Sequence, residues 1–153
     1  MAGSQFVYVT YIRTTPEKLW KALTEPEFTR QYWFATTQES DWKPGAKWQI
    51  SFPDGRVADT GEVVEIDPCR RLVLKWRQEL YAEMRAEGYS RLTYEFKKQG
   101  EIVRLTVTHE MDKSESKFIG AVSMGWPAIL SSLKSLLETG QALQITSLMP
   151  ENN

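Results

Sequence analysis

Residues Glu115–Gly140 read ESKFIGAVSMGWPAILSSLKSLLETG, and the fold is decided by this stretch. With successive residues 100° apart, Phe118, Val122, Trp126, Ile129, Leu133 and Leu136 fall on one stripe, flanked by Ile119, Leu130 and Leu137. The stripe is roughly 120° wide, as in a helix that buries one face against a sheet. Lys117, Ser123, Ser131, Lys134, Ser135 and Glu138 occupy the other side. Gly140 follows the last periodic residue and suits the left-handed position that closes many helices. Gly125-Trp126-Pro127 breaks the regularity. Pro127 lacks an amide hydrogen and crowds the carbonyl four residues back, so the spacing predicts a kink there or a restart capped by Ser123.

Upstream, the chain alternates. Gln5–Arg13 is β-branched and aromatic with apolar residues on both faces, which predicts a strand covered on two sides. Thr15-Pro16-Glu17 is a helix start with Thr15 as N-cap, and Glu25-Pro26-Glu27 is a second one. Leu19, Trp20 and Leu23 share a face of the first helix, and Phe28 and Tyr32 lie a turn apart on the second. After the Lys43-Pro44-Gly45 turn, Trp48, Ile50 and Phe52 alternate with Lys47, Gln49 and Ser51. Pro53-Asp54-Gly55 reverses the chain into a strand from Arg56 to Ile66, where Gly61 predicts a bulge or a close backbone approach. Leu72, Leu74 and Trp76 form one face of the next strand. Leu92, Tyr94 and Phe96 do the same further on, followed by Val103, Leu105, Val107 and His109. Gln78–Gly88 has weak helical spacing and reads as a mobile connection or a single helical turn. The order predicts an α+β domain: a curved antiparallel sheet of six or seven strands, two short helices after the first strand, and one long helix across the concave face.

The chain of 153 residues suits one domain. Nineteen Lys and Arg against twenty Asp and Glu leave no basic excess of the kind nucleic-acid binding requires. One Cys excludes an internal disulfide, and one His beside it argues against a structural zinc site. No apolar run has the length of a membrane span, and Met1–Gln5 does not open a signal peptide, so a reducing cytoplasm is the expected setting. No cofactor or metal is expected, and either a monomer or a homodimer is compatible with the composition.

Pro16-Glu17-Lys18-Leu19-Trp20-Lys21-Ala22-Leu23-Thr24-Glu25-Pro26 resembles the first-helix signature of the START-like, or SRPBCC, superfamily. Four further pieces look like its Hsp90-ATPase-activator-homologue group: Gly61–Pro68, Arg71-Leu72-Val73, Leu105–Glu110, and Gly125-Trp126 with Leu133-Lys134 and Leu137–Gly140. The resemblance runs from Val7 to Leu143. It implies the helix-grip fold as a single domain over 1–153, with a core at about 7–143 and a flexible tail at 144–153. It also implies a hydrophobic cavity, but little about activity, because carriers, metabolite binders, cyclases and cochaperone domains share the fold.

Trp48, Trp76, Tyr94 and Trp126 lie on faces assigned inward, where indole and phenol groups would orient an apolar ligand or simply pack. His109 shares its face with Leu105 and Val107, and it would either join those four aromatic residues as a ligand contact or sit half-buried and hydrogen-bonded near the long helix. The expected role is therefore to hold an apolar or amphipathic small molecule, without catalysis. The alternatives are a cyclase or dehydratase using His109 as acid–base, and a protein-interaction module acting on a chaperone. Tyr81 and Met84, in the charged connection, are candidates for a lid. Glu62, Glu65, Glu83 and Glu87 read as solvated. Cys69, beside Arg70 and Arg71, reads as a surface thiol whose pKa those arginines would lower. A Trp126 that walls a cavity should lose about 1–2 kcal/mol on truncation to Ala, against ~3–5 kcal/mol for a packed core Trp.

Overall fold

A computed structural model describes residues 3–145. Strand β1 (Ser4–Ile12) leads into helices α1 (Pro16–Thr24) and α2 (Pro26–Tyr32). Strands β2 (Thr37–Ser40), β3 (Lys47–Ser51), β4 (Val57–Asp67) and β5 (Arg71–Gln78) follow, then a short helix α3 (Ala82–Ala86). Strands β6 (Ser90–Gln99) and β7 (Ile102–Met111) and the long helix α4 (Lys117–Thr139) complete the chain. All seven strands form one antiparallel sheet in the order β1-β7-β6-β5-β4-β3-β2, with α4 packed on its inner face. This is the helix-grip arrangement. Among the described residues no helix is long and apolar enough to cross a membrane. Most of the tail expected to be flexible, residues 146–153, lies outside the described residues, as do Met1 and Ala2.

Local chemistry sets the boundaries. The Thr15 hydroxyl accepts from the Lys18 amide at 3.2 Å and caps α1, and Pro residues open both α1 and α2. Ser116 caps α4 by accepting from the Ile119 amide at 3.1 Å, and Gly140 closes it with φ 85°. The helix runs unbroken through Pro127, and Ser123 caps nothing: its hydroxyl donates to the Gly120 carbonyl at 2.7 Å. The predicted restart is therefore absent. The neighbouring turns carry Pro127 in a continuous helix, with its missing N–H the local cost.

Two other readings change, and the reading of Gln78–Gly88 is narrowed to one of its two alternatives. The sequence pattern shows no β2, because four residues with Gln, Glu and Ser carry no apolar alternation. Backbone pairing with β3 makes it a strand, and the buried Gln38 side chain accepts from Trp48 Nε1 at 3.1 Å. β1 is covered on one side only. Phe6, Tyr8 and Thr10 face inward, while Val7, Val9 and Tyr11 are about half exposed on the outer face of this edge strand. Gln78–Gly88 is an ordered turn of helix whose ends are tied down, as described below.

Gly61 is a close approach. It pairs with Trp48 on one side and Trp76 on the other, and a Cβ there would lie 1.7 Å from the Lys75 carbonyl oxygen. The missing side chain also lets the Trp48 and Trp76 rings meet, with centroids 4.8 Å apart.

Candidate functional site

The apolar stripe of α4 does not touch the sheet evenly. Phe118 meets His109 edge-on at 5.2 Å between centroids, and Trp126 meets Tyr94 the same way at 6.1 Å, so the helix sits down on β6 and β7. Towards β4 and β5 the helix instead presents Ala121, Val122 and Gly125, and these small side chains leave a cavity of about 540 Å³. A Cβ on Gly125 would meet only Ile129 Cδ1, at 4.0 Å. That volume is typical of small-molecule sites.

The sheet wall consists of Ala58 and Asp59 from β4 with Trp76 and Gln78 from β5. Trp33 and Phe34, at the end of α2, close one side. Phe34 and Ala35 both hold positive φ, 48° and 59°, a conformation that side-chain-bearing residues adopt only when their surroundings impose it, and one often found beside binding sites. Leu80, Tyr81 and Met84 line it from α3 and its approach. Both lid candidates thus border the cavity.

That segment is anchored at both ends. The Gln78 side chain accepts from the amides of Leu80 and Tyr81, each at 2.7 Å. At the far end Glu87, expected to be solvated, instead binds the start of α4. It accepts from the Ser116 hydroxyl at 2.5 Å and from the amides of Lys117 at 2.9 Å and Phe118 at 3.3 Å. Burial opposes its ionisation, but the hydroxyl, the two amides and nearby Lys113 prevail and hold its pKa below the usual carboxylate range. Its contribution to stability is present above the unfolded pKa and is lost as pH falls through the lowered folded value. Glu87→Ala is expected to cost about 1–2 kcal/mol, the scale of a lost helix cap, measurable by urea denaturation at neutral pH.

Of the five expected ligand contacts, Trp76 and Trp126 line the cavity. Trp48, Tyr94 and His109 are buried behind its wall, because the helix packs directly over β6 and β7 and the open space is displaced to β4 and β5. His109 belongs to a chain of hydrogen bonds joining helix to sheet. Trp126 Nε1 donates to its Nδ1 at 3.1 Å, its Nε2 lies 2.8 Å from Ser90 Oγ, and Ser90 Oγ donates to the Trp76 carbonyl at 2.8 Å. The donors assign the tautomer: Nδ1 accepts, so Nε2 carries the hydrogen. Burial pushes its pKa down to about 3. Both nitrogens are engaged and the ring is neutral.

The carboxylic acid that lines the cavity is Asp59, which pattern reading overlooked. It stands opposite Ile50 and Gln78 in the β-ladders, on the same face as Gly61, so alternation along β4 would have placed it inward. Its Oδ2 accepts from Trp76 Nε1 at 2.6 Å. Burial raises its pKa to about 7 against that hydrogen bond, and neighbouring Glu79 adds to the rise. A carboxyl raised in the fold holds a proton that the unfolded chain releases, so this group weakens the fold progressively from about pH 4 to pH 7. The advantage of Asp59→Asn over the parent should therefore grow across that interval, by at most about 1.4 kcal/mol per pH unit. Paired thermal or urea melts at pH 4.5 and 7 measure it. Cys69 shows the opposite of the expected shift. Burial, then Glu17 and Asp67, raise its thiol pKa despite the flanking arginines.

Comparison with known proteins completes the description. The family model described as Activator of Hsp90 ATPase homolog 1-like protein matches residues 13–138. A search of curated proteins finds no match. Among solved structures, protein MLL2253 of Mesorhizobium loti superposes with TM-score 0.73 at 23% identity, covering 88% of this chain and 96% of that one. PFC0360w, an Hsp90 activator from Plasmodium falciparum, gives 0.71 at 24% identity, with the same shares of 88% and 96%. DynU16, a putative protein in the dynemicin biosynthetic locus, gives 0.71 at 20% identity over 90% of this chain and 48% of that one. These likenesses establish the shared fold.

Proposed function

We propose that this chain, which belongs to the Activator of Hsp90 ATPase homolog 1-like family, binds an apolar or amphipathic small molecule between its sheet and its long helix. The observation that carries this reading is the cavity itself, about 540 Å³ in volume, walled by indole and phenyl rings and maintained by glycine and alanine on the facing helix. A packed core of this size would fill such space, since voids weaken folds. The relative in a biosynthetic locus accords with a small-molecule role.

Gly125 supplies the test. Gly125→Leu places a side chain into open space while removing a helix-interior glycine, which by itself costs about 0.5–1 kcal/mol relative to Ala. The variant should fold at least as well as the parent and lose binding of a hydrophobic panel followed by tryptophan fluorescence. Unchanged binding in a folded Gly125→Leu protein overturns the reading.

A protein-interaction role is favoured by a different observation, the half-exposed row Val7, Val9 and Tyr11 on edge strand β1. Rows of this kind on sheet edges attract partners. If this face engages a chaperone, Val9→Lys should abolish any stimulation of Hsp90 ATPase by the parent without affecting ligand binding. Stimulation that survives Val9→Lys excludes this face.

A further inference from the structure

We infer that the cavity takes a ligand whose inner end is a cation, a protonated amine or a quaternary ammonium on an apolar body, with Asp59 as its counter-ion. This rests on the ligand-binding reading above and narrows the class of ligand.

Two half-buried carboxylates that flank α3 are well partnered. Glu79 has Arg77 at 2.6 Å, Arg85 at 3.4 Å and the Thr60 hydroxyl at 3.0 Å. Glu87 has a hydroxyl and two backbone amides. Asp59 differs from both. It receives one indole N–H on Oδ2, and among the described residues its Oδ1 has no hydrogen-bond partner.

The guanidinium groups near the cavity are committed elsewhere. Arg56 lines the cavity, yet its side chain bonds Asp54 at 2.8 Å and lies over the Phe52 ring at 4.7 Å. Arg77 is held by Glu79 and lies over Tyr89 at 4.7 Å. A sheltered carboxylate without a cation is costly, and here the cost is met by keeping the proton until about pH 7. A cationic ligand would remove that penalty. A neutral end would leave it, and an anionic end would add to it.

The remaining walls suit the same chemistry. Trp33, Trp76 and Trp126 border the cavity, and tryptophan is the ring that attracts cations most strongly. Val122, Ile129, Leu80 and Met84 provide surface for an apolar body. A carboxylate among aromatic rings, with no cation among the described residues paired to it, is a complementary environment for an organic ammonium ion.

Calorimetric titration of the full chain at pH 7.5 tests this with five probes of matched body: 4-phenylbutylamine, trimethyl(4-phenylbutyl)ammonium, 4-phenylbutanol, 5-phenylpentanoate and butylbenzene. Both cations should bind at least about tenfold more tightly than the alcohol, the scale of one charge-assisted contact, and the carboxylate should bind weakest. Asp59→Asn keeps an acceptor for Trp76 Nε1. In it the preference for cations should fall to about twofold or less, with the alcohol unchanged as a check on the fold. Equal binding of alcohol and cations by the parent overturns the inference, as does a preference that survives Asp59→Asn. In both cases small-molecule binding stands. If none of the five binds, including butylbenzene, that broader reading falls as well.

Discussion

Trp126→Ala is expected to cost about 3–5 kcal/mol, the range for an aromatic side chain removed from a packed core. This exceeds the ~1–2 kcal/mol anticipated for a residue that merely walls a cavity. The difference arises because Trp126 does both. It borders the cavity, yet only 2% of its surface is exposed. Its ring lies 5.1 Å from Trp33, 5.9 Å from Trp76 and 6.1 Å from Tyr94, mostly edge-to-face, a geometry that adds stabilisation beyond the area buried. Truncation also deprives the buried His109 Nδ1 of its donor, and an unsatisfied buried acceptor costs about 1–3 kcal/mol in its own right. Trp126→Phe separates the contributions: it keeps most of the packing and loses the hydrogen bond, and should cost about half as much as the Ala variant. Chemical denaturation of both, read by circular dichroism, decides the matter. A loss near 1 kcal/mol for Trp126→Ala would mean that the indole is not integrated into the core as its contacts indicate.

Gly61→Ala should be the most damaging single-methyl change in the sheet. The new Cβ would sit 1.7 Å from the Lys75 carbonyl oxygen and 2.7 Å from its carbon, and neither belongs to a flexible side chain that can swing away. β4 and β5 would have to part in the middle of an eight-pair ladder, where Gly61 lies opposite Trp76. The Trp48–Trp76 contact, which passes over this position, would open with them. A loss of about 3 kcal/mol or more is expected, at the upper end for overpacking because backbone must move. Recovery of soluble, cooperatively folding Gly61→Ala protein within 1 kcal/mol of the parent would contradict the pairing described. Gly125→Ala is the contrasting control, since Gly125 faces open space and should tolerate the methyl.

These two residues mark how far the chain could be read directly. Long-period patterns were legible: the helical stripe of α4 fixed its face, and alternation placed Trp48, Leu72, Leu74, Trp76 and Tyr94 inward, where they are buried. Turn and cap chemistry located α1, α2 and Gly140, because proline, threonine and glycine act locally. β2 was not legible, because its pairing with β3 rather than any apolar pattern makes it a strand. The exposed outer face of β1 was misread, since Val7, Val9 and Tyr11 give no sign of being left uncovered.

For the site, alternation could show which residues point inward but not how far the helix stands from each strand. That distance is set where Phe118 and Trp126 meet His109 and Tyr94, and it closes the space over β6 and β7. The cavity therefore lies over Asp59 and Trp76, with Trp33 at its side. His109, the most conspicuous residue chemically, is consumed by hydrogen bonding to Trp126 and Ser90. Asp59 carried a usable signal, an acidic residue two positions from Gly61 on the apolar face of a strand. Only the geometry reveals that no cation among the described residues pairs with it.

The central claim, an apolar-bodied ligand held in the α4–sheet cavity, is tested most directly by proton–nitrogen spectra of the indole groups. The chain has six tryptophans, and their positions divide the molecule: Trp33, Trp76 and Trp126 line the cavity, whereas Trp20 packs against Phe96, away from the lining. On titration with 4-phenylbutylamine, the indole signals of Trp33, Trp76 and Trp126 should shift together and saturate with one dissociation constant, while Trp20 stays fixed. Shifts that never saturate, or that reach Trp20 as strongly as Trp126, would contradict a ligand site between helix and sheet.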